Sequence, residues 1–449
     1  MSPDELLELA DTVVGWARDG EAIEVVAGHS RDTEIRAYEG AVEAFTSADS
    51  FGVGIRVIDR HRQGFAHTGI VDLESLAETL AEARDNATFS TEDPHVGLAE
   101  PDGVSMMTGD LYDERLAAVP TDDKIALAIE LDRLVCTLDP RVFGVETVDY
   151  ADSLSTLIVA STTGVRSISR ESSCWLGAYS LAGDDDEVTT GFGFSVGRGI
   201  DEVDVEAAAR DAVERAVRML GAGRAPTQRL AVVFDPWVTA QFLSIIAETF
   251  AGDAVLKGRS PFADRIGEQV AAEGFTLIDD PTDVRWFGAT FSDGEGLATR
   301  PTTMIEHGVV RGFLHDSYSG RSMGTSSTGS AVRQGYSSTP SAGSQSVMML
   351  PGSSTPDEIL RAVGDGIYIA EVQGLHSGVN PVSGDFSTGI EGIMIRNGEL
   401  AEPVKEVTIA STLQAMLASV MMVGSDITSM PLDAVGLTLA IGDVTLSGG

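Results

Sequence analysis

From Ala22 to Ile70 the chain runs as short stretches of alternating apolar and polar residues, among them Glu34-Ile35-Arg36-Ala37-Tyr38 and Gly52-Val53-Gly54-Ile55-Arg56-Val57, broken at Glu39-Gly40 and Asp59-Arg60. Period-two alternation between turn residues predicts strands with one buried face. Helices are predicted on either side: Pro3 to Asp19, and a second from Asp72 that carries Leu73, Leu76, Ala77, Leu80 and Ala83 at helical spacing. The stretch from Glu92 to Gly103 has no period and reads as a linker, so a first α/β unit is expected over 1–100.

A second unit is expected over 105–222. Thr121 opens a helix with Ile125, Leu127, Ile129, Leu131 and Leu134; strands follow from Val142 to Val196, punctuated by Gly164 and Gly183; a helix from Asp204 to Leu220 stops at Gly221. The third unit, 228–449, begins with the strand Leu230 to Phe234 and a helix from Asp235-Pro236 to Phe250. His307-Gly308 and Asn397-Gly398 stand between apolar runs as two-residue hairpin turns, and Thr355-Pro356-Asp357-Glu358 is a capped helix start. Ser317 to Ser346 is rich in Gly, Ser and Thr and reads as a long functional loop or, as its composition favours, a flexible one. The fold class is α+β: an N-terminal α/β sandwich-like domain, a strand-rich middle domain and a larger, mostly β C-terminal domain.

Charge narrows the function classes. Asp and Glu number 69 against 30 Lys and Arg, a formal net charge of −39, which repels phosphate backbones and anionic lipid surfaces. Neither a nucleic-acid nor a membrane partner is expected. The acid is spread along the chain and Lys occurs only at 124, 257 and 405, a composition that suits a halophilic cytoplasm: at 1 M salt the Debye length is about 3 Å and self-repulsion is screened. Unchanged stability between dilute buffer and molar salt would count against that expectation. Cys136 and Cys174 are too few for a disulfide framework and fit a reducing, cytoplasmic compartment. The N-terminus opens as a capped helix rather than an export signal, and Leu413 to Val423 is too short and too polar to span a bilayer.

Motifs for chemistry are sparse. None of the seven histidines forms an i, i+4 pair, and there is no nucleophile elbow, phosphate loop or dinucleotide fingerprint. Gly191-Phe192-Gly193-Phe194 reads as close sheet packing rather than a nucleotide site. Gly384-Asp385-Phe386-Ser387-Thr388-Gly389 allows close main-chain approach to a ligand, or equally a tight turn capped by Asp385. His315-Asp316 and His376 could meet in space as a divergent hydrolytic group.

An ordered series of stretches resembles the TldD/PmbA (modulator of DNA gyrase) peptidase family over nearly the whole chain. The strongest is Gly384-Asp385-Phe386-Ser387, continuing through Ile395-Arg396-Asn397-Gly398-Glu399 and Pro403-Val404 to Thr408-Ile409-Ala410. Gly252-Asp253, Lys257-Gly258-Arg259-Ser260, Asp293-Gly294-Glu295-Gly296 and Ile305-Glu306-His307-Gly308 agree with it in order. In TldD-type chains an HExxxH helix and a C-terminal cysteine hold zinc. The alignment puts Leu243 and Glu248 where the histidines would stand and Ser244 at the glutamate base, and no cysteine follows Cys174.

The resemblance therefore implies a PmbA/TldE-type chain that binds no cofactor of its own. A TldD-type metallopeptidase subunit would be its partner and bring the zinc, and peptides or unfolded segments would be cleaved in the complex. Gly384, Asp385, Phe386, Ser387 and His315 are the peptide-binding candidates, with no catalytic residue in this chain. A stand-alone peptide-binding or regulatory module, including a homodimer, is the alternative, and a gyrase link would run through a peptide effector.

Overall fold

The alternating runs of the first 200 residues build one sheet rather than two. In a computed structural model that describes residues 1–184 and 187–448, the side chains of 376 and 377 excepted, β1 (Glu21–Tyr38), β2 (Ala41–Asp59), β3 (Arg62–Thr68), β4 (Val142–Ser161), β5 (Arg166–Gly183) and β6 (Val188–Gly197) form a six-stranded sheet. Its order is β3-β2-β1-β4-β5-β6. β1 pairs with β4 from Glu24↔Ser161 to Ala37↔Val148, so the linker after residue 100 divides the chain but not the sheet. The fold is α+β, as the periodicities predict.

Helices cover one face of this sheet in two groups. α1 (Pro3–Val14) and α2 (Leu73–Phe89) pack Leu6, Ala10, Leu76 and Leu80 on Ile23, Val25 and Ile55. α3 (Thr121–Leu138) and α4 (Val205–Arg218) pack Leu131, Val135, Ala208 and Ala212 on Ile35, Tyr150 and Leu176. Gly191 and Gly193 of β6 are needed here: a Cβ would lie 2.2 Å from the Ala212 carbonyl or 2.1 Å from that of Ala208, so α4 sits on bare backbone. The opposite face is left to the C-terminal part.

That part is a closed barrel with additions. β7 (Gln228–Phe234) leads into α5 (Pro236–Thr249) and α6 (Gly252–Leu256). β8 (Leu277–Asp279), β9 (Thr302–Glu306), β10 (Val309–Val310), β11 (Ala331–Val332), β12 (Ser341–Ala342) and β13 (Val347–Met349) are short, with α7 (Ser317–Met323) among them. After α8 (Pro356–Val363) come β14 (Gly366–Gln373), β15 (Asp385–Arg396), β16 (Glu399–Thr412), β17 (Val420–Val423) and β18 (Leu439–Ser447). β16 pairs with both β15 and β18, which closes β16-β15-β14-β7-β18 on itself and leaves no long edge.

Turn chemistry fixes the registers. His307-Gly308 and Asn397-Gly398 carry positive φ at both residues and join β9 to β10 and β15 to β16 as tight hairpins. Thr355 and Glu358 form the capping box of α8. α5 is capped by Asp235, whose carboxylate also takes Arg215 at 3.0 Å and the Tyr368 hydroxyl at 2.5 Å. Its residues Phe242, Leu243, Ile246 and Ala247 are buried in the barrel core.

The stretch from Ser317 to Ser346 departs from its expected flexibility. It folds as α7 and the β11–β12 pair, because two arginines tie it down: Arg321 donates to the carbonyls of His95, Gly97 and Leu98, and Arg333 to Glu24, Gly294 and Ser338. Apolar content cannot register such anchors. Tyr336 then lies flat on the sheet at Gly28 and Gly52; a Cβ on Gly52 would meet its ring at 2.0 Å. Among the described residues no helix is long and apolar enough to cross a membrane.

Candidate functional site

Between the uncovered face of the sheet and the C-terminal part runs a cleft of about 690 Å³. One cross-strand row, Ser50, Ser30, Ser155 and Glu171, forms the sheet wall, set by the pairings Ser30↔Ser50, Ser30↔Ser155 and Ser155↔Glu171. The other wall consists of the segment 287–290, Asp293-Gly294, Arg333 and Tyr336; Ser344-Gln345 and Pro431 to Asp433 make the floor. At the rim, His29 Nε2 lies 2.8 Å from Asp49 Oδ1, and its ring stacks on Phe51 at 3.8 Å between centroids.

β3 pairs only with Val53–Asp59 of β2, and β1 takes the other edge. Among the described residues no strand covers the outer edge of β2 from Ala41 to Gly52, and that free edge reaches the cleft at Ser50. A sheet edge of this kind presents unpaired N–H and C=O groups to an extended chain.

A buried ionic cluster closes the joint beneath one wall. Glu24 accepts from Arg56 at 2.7 Å and from Arg333 at 2.5 Å, and Arg56 lies 3.6 Å from Glu295. Burial would raise the Glu24 carboxyl, but the two guanidinium groups outweigh it and hold it below its ordinary range. Asp293 and Glu295 behave oppositely: burial holds both above the ordinary range, and the charge of Glu295 adds to the rise at Asp293. Neither is available as a free base, since Asp293 accepts the N–H groups of Glu295 and Leu297 and Glu295 accepts that of Ser317.

The residues singled out from the sequence fall in three places. Leu243 is wholly buried on the inner face of α5. Ser244 points the other way, to the cleft floor, where its hydroxyl donates to Asp433 Oδ1 at 2.6 Å. Glu248 is exposed on the last turn of α5. A catalytic zinc takes about three protein ligands. Leu243 has no donor atom, and among the described residues no three His, Cys, Asp or Glu come together to hold an ion. The residues at this place do not fit zinc.

Gly384, Asp385, Phe386 and Ser387 form the tight entry into β15. Gly384 has φ +81° and donates to Asn380 O at 2.8 Å; Asp385 accepts from the Ser383 hydroxyl; Phe386 packs edge-on against Phe242; Ser387 pairs with Ala410. None of the four lines the cleft. His315 is buried 3.2 Å from the Ser319 hydroxyl, Asp316 caps α7, and neither lines the cleft. Burial lowers the His315 pKa, disfavouring the charged ring. The side chain of His376 lies outside the described residues.

Of the residues that line the cleft, sequence reasoning named Asp293-Gly294, in the family-like series, and missed most of the others. Asp433, Gln345, Glu171 and His29 stand in no motif, and no signal in the chain marks them before the strands bring them together.

Comparison with known proteins covers the whole length. Residues 23–87, 114–220 and 227–448 match, in order, the models of PmbA/TldA metallopeptidase domain 1, central domain and C-terminal domain. The chain is 24% identical to metalloprotease PmbA of Escherichia coli O157:H7, over 94% of this chain and 91% of that protein. It is 28% identical to a metalloprotease of Methanothermobacter thermautotrophicus, over 90% and 88%. Its fold superposes on a Thermotoga maritima protein described as a modulator of a DNA gyrase, with TM-score 0.90, 24% identity and 98% and 99% coverage. On TldE of Thermococcus kodakarensis the TM-score is 0.89, with 23% identity and 99% of both chains covered. Because three consecutive domains match in register, from the first sheet to the last barrel strand, the chain as a whole belongs to the PmbA/TldD metallopeptidase family.

Proposed function

We propose that this chain is a non-catalytic, peptide-holding subunit that works with a TldD-type metallopeptidase chain, the partner supplying the zinc. The observation that carries the reading is α5: at the place of the metal-binding helix, Leu243 is core and Ser244 is hydrogen-bonded to Asp433. Rebuilding a zinc site there would require opening the barrel core. What the chain keeps is a cleft of about 690 Å³ and, leading into it, the free edge of β2. An added strand would be held by backbone hydrogen bonds, which tolerate varied side chains.

Purification from native extract tests this reading. The expected result is co-recovery of an HExxxH-bearing chain, no stoichiometric zinc in the isolated subunit, and peptide cleavage only by the pair. A zinc-loaded isolated chain that cleaves peptides would overturn it. Recovery of a homo-oligomer alone would favour a stand-alone peptide-binding module.

A further inference from the structure

Three neighbouring strand ends meet at the cleft floor. β13 pairs with β8 through Val347↔Asp279, and Val347 bridges to Ala434 on its other side, with its N–H on the Asp433 carbonyl at 2.6 Å. Asp279, Gln345 and Asp433 therefore stand at one end of adjacent strands. Asp279 is 1% exposed: its Oδ1 accepts the N–H groups of Gln345 at 3.0 Å and Ser346 at 2.7 Å, and its Oδ2 has no partner. The charge of Asp433 is near enough to act on it.

Gln345 adds another unused acceptor. Its Nε2 faces the carbonyls of Ala331 at 3.1 Å and Gly329 at 3.5 Å, which fixes the amide orientation and leaves Oε1 buried without a partner. Asp433 is held only by hydroxyls, Ser244 on Oδ1 and Ser344 at 3.0 Å on Oδ2, and among the described residues it makes no ion pair. Arg333, the arginine among the described lining residues, is engaged by Glu24.

The side-chain donors at this floor, the Ser244 and Ser344 hydroxyls and the Gln345 amide, are thus already used, while acceptors and negative charge remain. An incoming carboxylate or phosphate would meet only repulsion. A group that brings donors and positive charge would meet Asp433 at the cleft surface by the stronger, charge-assisted kind of hydrogen bond, with Gln345 beside it and the uncompensated Asp279 carboxyl behind. General acidity of the surface does not account for this, because solvated surface carboxylates leave no buried acceptor without a partner.

We propose that the cleft floor is a subsite for a cationic side chain, the ammonium of lysine or the guanidinium of arginine, of the extended peptide. The subsite rests on the peptide-holding reading above and gives it a substrate preference. Asp433 recognises the cation directly, Gln345 lines the floor beside it, and Asp279 adds charge behind them.

Fluorescence anisotropy on the full chain in molar KCl tests it, with labelled neutral peptides that differ only in one central residue: lysine, arginine, norleucine or glutamate. The expected result is that the lysine and arginine peptides bind about tenfold more tightly than norleucine, the size of one charge-assisted contact. Asp433→Asn should reduce that ratio to below about twofold, and Gln345→Leu should reduce it by a similar amount, so that either variant carries the test if the other fails to fold. Equal binding of the lysine and norleucine peptides, or tighter binding of glutamate, would overturn the subsite and leave the peptide cleft standing. Binding of none of the four would overturn the cleft reading and the subsite with it.

Discussion

Two buried polar clusters flank the same cleft, and they differ in balance. In the first, Glu24, Arg56, Glu295 and Arg333 set two guanidinium groups against two carboxyls, and only Arg56 Nε lacks a partner. In the second, Asp279, Gln345 and Asp433 face one another with no cation, and two acceptor atoms lack partners. Burial is alike for Glu24 and Asp279, each 1% exposed, yet the first carboxyl is driven below its ordinary range and the second is pushed up to about 6. Burial of charge is offset by ion pairing at Glu24 and not at Asp279, and the cost left at Asp279 is what a cation arriving at Asp433 would relieve.

The contrast can be broken from either side. The largest effect is expected from Arg333→Met, which removes one of the two guanidinium partners of buried Glu24 and the anchor of the 331–338 segment: a loss of about 3–5 kcal/mol, read from denaturant unfolding in molar KCl. A loss below about 1 kcal/mol would mean that the first cluster is no more structural than the second. Leu243→Ala, at the core position beside Ser244, should cost about 2–5 kcal/mol by opening a cavity in the barrel. Restoration of zinc binding by any change at Leu243 alone would contradict its core role.

The unbalanced cluster should respond in the opposite direction. Burial is the main cause of the rise of Asp279 from the ordinary 3.8 to about 6, with the charge of Asp433 adding to it, so the fold binds that proton more tightly than the unfolded chain. Its contribution to stability is therefore full below about pH 4 and lost as pH rises through about 6. Asp279→Asn should remove this decline, making the protein more stable by about 1–3 kcal/mol at pH 8 and leaving it unchanged near pH 4. Urea unfolding at both pH values checks the sign. The smallest effect belongs to an exposed pair outside both clusters: Glu130→Gln, which frees Arg133 on the surface of α3, should leave the melting temperature in molar salt within measurement error.

Much of the fold was legible in the chain. Asn397-Gly398 and His307-Gly308 announce their hairpins because only such pairs adopt two positive φ values cheaply, and Thr355 and Glu358 announce α8 because a capping box is local. The glycines of Gly191-Phe192-Gly193-Phe194 are explained by the approach of α4, as close sheet packing implies. The Ser317–Ser346 segment was not legible. Its order comes from Arg321 and Arg333 reaching partners more than 200 residues away.

The cleft was less legible than the fold. The Gly384–Ser387 stretch is the most motif-like in the chain, yet it lies away from the cleft as the entry to β15, where a glycine of φ +81° and a buried Phe386 are needed for the turn itself. Asp433 had no signal. A carboxylate becomes noteworthy only when its neighbours are known, and those of Asp433 are Ser244, 189 residues earlier, and Ser344, 89 residues earlier.

The sequence by itself determined the family, the α+β elements and their hairpin turns, because each of these depends on residue type or on spacing within a few residues. Only the tertiary structure decided that the first two segments share one sheet, that the Gly- and Ser-rich stretch is pinned rather than loose, and that Asp279, Gln345 and Asp433 converge. Strand pairing joins residues regardless of their separation in the chain, and whether a buried acceptor has a partner is a property of that pairing and of nothing local.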